Sequence, residues 1–372
     1  MISSDHRPAT MAFCLLTGRL RPQKAKETAA RDFQIQPVHS RLISIYFAQI
    51  VDGEGGAWVH LFHGTKSGGV LKLFMETVDK PSVTAPASTP TVRERSLRAL
   101  GQLPPFSPIL NRLIASLASE DVSFAKIAEL IEKDTALAGN ILRLVNSALY
   151  GFPGTVNSIR HAVSLLGLNK LRNAALTMSV ARMWNQVKTP PGWSTPNFNQ
   201  HSVGVAILAD LLAQKLNVDY AEGGFAAGLF HDLGLLLIAI GLHDEYKQIS
   251  LLCQREKKWT NEYEIQILGM THAELSAEAL AEWNLPEPIQ TAVRYHVAPD
   301  TDPTPVQAGQ LTLSRVLNAA DRYVKGKGIF VSLFESPSNE PDDVLETLGL
   351  GERLPVILAD FENDFTAIKA YF

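Results

Sequence analysis

From about residue 95 to 325, apolar residues recur at i, i+3, i+4 and i+7, the period of a helix with one buried face. Asp134 caps a segment in which Ile141, Leu144, Val145 and Ala148 form one stripe before Gly151 ends it. Segments 123–131, 158–166 and 170–184 read the same way, and Lys188-Thr-Pro-Pro-Gly192 breaks the run. Helical periodicity resumes at 198–216 and continues to Gly326-Lys-Gly328. A loop at 336–341 then separates two short helical segments, near 342–348 and 354–372. The pattern predicts an all-α, multi-helix domain.

The N-terminal part differs. Residues 41–51, 57–62 and 70–75 are β-branched and aromatic, with glycine-rich turns expected at 52–56 and 64–69, and these predict a small β-meander. The Gly64-Thr-Lys-Ser-Gly-Gly69 turn lacks the spacing of a phosphate loop and is read as a plain hairpin turn. Residues 1–40 show no sustained period and are expected to be a poorly ordered lead-in, and 80–90, rich in proline and hydroxyls, reads as a linker.

Hydrophobic residues at 46% and charged residues at 19% describe a globule with a sizeable core. A net charge of −4 argues against bulk electrostatic binding to nucleic acid or an anionic membrane. Two cysteines, Cys14 and Cys253, are too few for a disulfide framework and fit a reducing compartment. No uninterrupted apolar run is expected to reach the ~18 residues of a membrane span, so the expected location is the cytoplasm.

Against this background a few residues stand out. His231-Asp232 lies in the apolar stretch Ala227-Gly-Leu-Phe-His-Asp-Leu-Gly-Leu-Leu-Leu-Ile238. Burying such groups costs several kcal/mol unless partners compensate. Other candidates share apolar faces at helical spacing: His201 with Val205, Leu208 and Leu212, and His272 with Leu275, Ala279 and Trp283. His296 follows Ile289, Ala292 and Val293, and Asp321 lies between Leu317 and Val324. Any one alone is better read as a satisfied core residue. Together they point to one shared site, because polar residues are seldom buried without partners. Imidazoles with carboxylates suit a borderline divalent cation.

The order His201, His231-Asp232 and a late Asp321 resembles the ligand pattern of the HD superfamily of metal-dependent phosphohydrolases. The closer resemblance is to the HDOD family, the HD-related output domain of bacterial signalling. It rests on Leu103-Pro-Pro-Phe106, on the run from Asp134 to Gly151, and on Ile159-Arg-His-Ala-Val-Ser-Leu-Leu-Gly167. After the HD pair come Glu264, Leu268-Gly-Met-Thr-His272 and Trp283-Asn-Leu-Pro286. The resemblance covers about residues 95–325. It implies an HDOD helical domain (93–328) and says nothing of the first ninety residues; with the pattern read above, the expected organisation adds a lead-in (1–40), a meander (41–78), a linker (79–92) and a C-terminal helical extension (329–372).

It also implies a divalent metal (Mn, Fe, Ni, Zn or Mg) on His201, His231, Asp232 and Asp321, with His272 and His296 added and Asp232 able to bridge two ions. Glu264 stands either as a hydrogen-bond partner to a ligand imidazole or as a surface carboxylate. The sequence departs from the hydrolases in three places. Leu235 stands where many active members carry a phosphate-holding lysine, Val297 follows His296 in place of a second histidine, and no Gly-Tyr-Pro element is found. Losing one such electrostatic stabiliser often costs ~100-fold or more in rate.

The leading expectation is therefore a bacterial signal-transduction protein with a degenerate, metal-binding HD site and poor turnover. Its expected partner is a signalling protein, with a nucleotide ligand left open and neither nucleic acid nor a membrane span expected. The competing reading is a metal-dependent phosphohydrolase or phosphodiesterase acting on a nucleotide or cyclic nucleotide. A third is a helical scaffold whose polar residues satisfy one another without metal.

Overall fold

The β-branched runs near the N-terminus pair into one antiparallel sheet, and everything described after residue 90 is helical or irregular. The computed structural model describes four strands between residues 38 and 77, and then residues 90–116, 124–148, 150–256, 261–331 and 342–371. The chain divides into two compact units, Met1–Thr89 and Pro90–Phe372.

In the first unit, β1 (Val38–Ser40), β2 (Ile43–Val51), β3 (Ala57–Ser67) and β4 (Val70–Thr77) follow one another in the sheet. Two details correct the sequence reading. β1 lies within the expected lead-in, and β3 runs through Gly64–Ser67, where a turn was expected. Thr65, Lys66 and Ser67 pair with Lys72, Leu71 and Val70, so these positions belong to the strand. The ladder outweighs the poor strand preference of Gly64, which pairs with both Ser44 and Leu73. The rest of the expected lead-in (1–37), the turn at 52–56, most of the expected linker (78–89) and the loop at 336–341 lie outside the described residues.

The second unit begins with α1 (Val92–Arg98), α2 (Pro108–Ala115), α3 (Phe124–Glu132), α4 (Thr135–Val145), α5 (Ile159–Leu166) and α6 (Leu168–Trp184). It continues with α7 (Thr195–Ala213), α8 (Gly224–Phe230), α9 (Leu233–Gly241), α10 (His243–Glu256) and α11 (Asn261–Leu268). The last helices are α12 (His272–Glu282), α13 (Glu287–Tyr295), α14 (Leu313–Gly326) and α15 (Leu354–Lys369). The domain is all-α, as its periodicity implies. Starts are fixed by side-chain caps: Asp134 accepts from Leu137 N–H, Ser194 from Asn197 N–H and Thr312 from Arg315 N–H. Thr271 and Glu274 form a reciprocal capping box at the start of α12. Each such cap contributes about 1 kcal/mol.

Helix α7 is the axis of this unit. It is buried along most of its length, and α8, α14 and α15 all pack on it. Helix α15 thus joins the same core, through Ile357, Phe361, Phe365 and Ile368. The segment Ala221–Gly241 is long and apolar enough to cross a membrane by length and composition, although Glu222, His231 and Asp232 interrupt it, and its most apolar stretch is wholly buried in the core. It reads as a core helix pair, interrupted at His231-Asp232.

Several motif residues turn out to shape the chain. Asn284, in the left-handed region at φ 57°, ends α12: Leu285 N–H donates to Leu280 C=O at 3.0 Å and Asn284 N–H to Ala281 C=O at 2.9 Å. Phe106 meets Trp283 edge-on at 4.6 Å, and Trp283 meets Phe230 at 5.8 Å, directly before His231. Asn146 ties the α4–α5 connection to itself, with Nδ2 donating to Leu142 and Val156 carbonyls and Oδ1 accepting from Val156 N–H. His161, expected at a core or boundary position, is exposed.

Candidate metal centre

The break between α8 and α9 is what turns His231 and Asp232 toward one point. His231 ends α8, and Asp232 sits at φ −98°, ψ 13°, outside helical geometry. Two glycines let the neighbouring helices close in on this break. A Cβ on Gly228 would lie 2.5 Å from Ala206 Cα of α7, and one on Gly234 would lie 2.1 Å from the His272 carbonyl oxygen of α12. Gly234 N–H also donates to Ser276 Oγ at 2.7 Å, fixing α9 on α12. The close contacts place His201 of α7 and His272 of α12 on either side of the HD pair.

All four histidines are oriented in the same sense. Nδ1 of His231 donates to Gly228 C=O at 2.7 Å, Nδ1 of His296 to Val293 C=O at 2.7 Å, and Nδ1 of His201 to Ile329 C=O at 2.9 Å. Nδ1 of His272 donates to both oxygens of Glu264 at 2.9 Å. Because carbonyls and the Glu264 carboxylate accept, Nδ1 carries a proton in each ring, and in the neutral ring, the form that metal ligation needs, Nε2 presents its lone pair to the interior. Glu264 is fully buried and also accepts from His272 N–H at 2.7 Å, so of the two sequence readings the partner to an imidazole is the one observed.

The inward-facing atoms meet at Asp232. Its Oδ2 lies 3.3 Å from His201 Nε2 and 3.2 Å from His231 Nε2, while its Oδ1 lies 3.2 Å from His272 Nε2 and 3.9 Å from His296 Nε2. Asp321 Oδ1 sits 3.1 Å from His201 Nε2 and 3.6 Å from His231 Nε2. Its other oxygen accepts from Lys325 Nζ at 2.8 Å. Lys325, one turn on from Asp321 along α14, is a residue that the sequence reading passed over, although the i, i+4 spacing is its signal. All six sequence-selected residues therefore come together, and the exposure of each is 6% or less.

These contacts lack hydrogen bonds where they most need them. Asp232 Oδ1 and Oδ2, Asp321 Oδ1, His272 Nε2 and His296 Nε2 are buried without a hydrogen-bond partner. Nε2 of His201 and His231 face each other at 3.3 Å. Acceptors thus point at acceptors inside a closed core, which costs several kcal/mol unless a proton or a cation intervenes. Three overlapping triads, His201–His231–Asp232, His231–His296–Asp321 and Asp232–His272–His296, each bring their ligand atoms within 4.8 Å of one another. The donor set fits divalent metal, with Asp232 able to offer one oxygen to each of two ions.

Electrostatics expresses the same conflict. Burial disfavours the charged form of His201, but the Asp232 and Asp321 carboxylates outweigh it and hold the imidazole up to about 9. Burial likewise opposes His272, while Glu264 and Asp232 push it up to about 10. His296 goes the other way, down to about 3, through burial and the neighbouring His231 and His272. Asp232 is held well below the usual carboxylate range because His231 and the other imidazoles outweigh its burial. Asp321 is held there by Lys325 and His201 against the same opposing effect.

A multi-helix fold around a buried histidine–aspartate cluster, with the HD pair at a helix break, defines an HD-type domain. A family model described as HDOD domain matches residues 103–299, and the chain belongs to that family. Among solved structures it is similar to an HDOD domain protein of unknown function from Geobacter sulfurreducens, with a TM-score of 0.59 and 25% identity over 75% of this chain and 96% of that one. It is also similar in fold to a provisionally assigned signal transduction protein from Marinobacter aquaeolei VT8, with a TM-score of 0.57 and 20% identity over 75% of this chain and 65% of that one. An uncharacterized protein of Treponema pallidum (strain Nichols) is 24% identical over 208 residues, 53% of this chain. That match spans only 38% of the curated relative's length.

Proposed function

We propose that this chain is a signal-transduction protein whose HDOD domain binds divalent metal on His201, His231, Asp232, Asp321, His272 and His296 without efficient turnover, and acts by binding a signalling partner. The observation that carries this reading is the enclosure of the cluster. His201, His231 and His296 are 0% exposed, Asp232 1%, His272 3% and Asp321 6%, which restricts the approach of a phosphoryl group to a metal held between them. Leu235, at the position where an active relative would place a lysine, is itself buried, so this wall offers no cation to a phosphate oxygen. Lys325 is engaged with Asp321.

A bound ion would polarise oxygen ligands and lower the pKa of a coordinated water. This chain's own residues hold the site: Asp232 divides its two oxygens between the two groups of imidazoles, and Glu264 and three backbone carbonyls fix the ring orientations. Metal analysis of protein purified without chelator tests the first half of the proposal, with at least one tightly held divalent ion per chain expected. A scaffold of mutually satisfied polar residues would hold none. The second half is tested by turnover of cyclic dinucleotides and nucleotide monophosphates with added Mn²⁺, where rates at the buffer background are expected. The phosphohydrolase reading requires efficient turnover that Asp232→Ala abolishes.

A further inference from the structure

The two carboxylates of the metal centre differ in what faces them. Asp232 meets only imidazoles in its ion-pair contacts, whose charge depends on their protons, while Asp321 has a lysine against it. The two oxygens of Asp321 divide accordingly. Oδ1 lies 3.1 Å from His201 Nε2 and 3.6 Å from His231 Nε2, and is buried without a hydrogen-bond partner. Oδ2 accepts from Lys325 Nζ at 2.8 Å. The Lys325 side chain is 34% exposed and that of Asp321 8%, so the ammonium reaches the carboxylate from the solvent side.

A cation in this position has two conceivable roles, and they differ in sign. As a brace it would orient Asp321 and strengthen metal binding; as a competitor it would oppose the metal. The packing of α14 favours the second. Asp321 is flanked by Leu317, Ala320 and Val324, all 0% exposed, on a helix packed against α7 and α13. Its short side chain therefore needs little further restraint. An ion at Oδ1 and an ammonium at Oδ2 would share one carboxylate, and like charges that close repel strongly where burial keeps the effective dielectric low.

We propose that Lys325 is a resident counter-cation that competes with the metal for Asp321. It neutralises this carboxylate in the metal-free state and opposes a divalent ion held at Oδ1. The metal affinity is thereby set below what the six ligands alone would give. The inference rests on the metal-binding half of the proposed function and adds the residue that regulates it.

Competition against a chromophoric chelator, with Zn²⁺ and Mn²⁺ as probes, measures the affinity of the full chain and of its variants. Thermal melts of the same proteins with the metal removed measure their stability. Lys325→Met is expected to bind metal at least about tenfold more tightly than the unmodified protein. Its metal-free form should melt at a lower temperature, because the Asp321 charge is left unbalanced. A brace or a packing role would lower affinity and stability together, so the opposite movement of the two is diagnostic. Lys325→Gln, which can donate a hydrogen bond but carries no charge, should tighten binding in the same way and serves if Lys325→Met fails to fold. Lys325→Arg keeps the charge and should stay within about threefold of the unmodified protein. Unchanged or weaker binding by both neutral variants would overturn the proposal, as would equal tightening in Lys325→Arg. Absence of metal from the unmodified protein and every variant would overturn it together with the metal-binding reading, which the first two outcomes leave standing.

Discussion

At the scale of single residues, Asp232 is the group on which the centre turns, because each of its oxygens faces a different pair of imidazoles. Asp232→Ala is expected to remove most bound metal and to lower stability by about 1–3 kcal/mol, since the imidazoles would lose their shared counter-charge. Metal analysis and denaturant melts of the two proteins check this; unchanged metal content would show that the ion sits elsewhere. Leu235→Lys is expected not to create a hydrolase. An unpaired ammonium buried at this position should cost more than about 2 kcal/mol, read as a lowered unfolding midpoint. The inward direction of His201, His272, His296 and Asp321 was legible from helical spacing alone. The protonated Nδ1 anchors were not, because three of them are backbone carbonyls, which have no sequence signature. The partner of the fourth, Glu264, was legible only as one of two alternatives, since a carboxylate eight residues before His272 fits a surface as well as a core.

At the scale of elements, the close approaches at Gly228 and Gly234 explain why a helix pair carrying two ionisable residues folds inward at all. Gly234→Ala would force a methyl group to within 2.1 Å of the His272 carbonyl oxygen, so the α9–α12 contact must open. A loss of about 1–3 kcal/mol is expected, together with reduced metal content, because His272 moves with its backbone. Gly139→Ala is the matched contrast. It sits inside α4 with nothing within 4 Å of the added Cβ, and should be neutral or stabilising by about 0.4–1 kcal/mol. Thermal melts of both variants decide, and equal behaviour would refute the packing argument. Helix existence was legible from apolar period and caps such as Asp134 and Thr271. The interruption at His231-Asp232 was not, because Leu, Ile and Ala on both sides read as one run. In the sheet, the glycine-rich sequence at 64–69 hid strand residues at 64–67 that only ladder pairing with 70–73 reveals.

At the scale of the whole molecule, metal, protons and stability are linked. His201 and His272 are held up to about 9 and 10 by their carboxylate neighbours. With a chelator present, their contribution to stability is full below the unfolded imidazole value of about 6.5 and is lost as pH rises through 9 and 10. His296, held down to about 3, has the opposite sign: its contribution is present above about 6.5 and is lost as pH falls toward 3. Metal ligation needs neutral imidazoles, so binding should release protons and strengthen as pH rises from 6 toward 9. Calorimetry in buffers of different ionisation enthalpy measures the released protons, and proton uptake on binding would contradict the assignment. The central claim, a metal-binding HD centre too enclosed for phosphoryl chemistry, is tested most directly by one assay. Full-length protein with its metal content measured is offered cyclic dinucleotides and nucleotide monophosphates with excess Mn²⁺, beside Asp232→Ala. Bound metal with hydrolysis no faster than in the variant is the predicted result. Efficient hydrolysis by the metal-loaded protein, lost in Asp232→Ala, would contradict it.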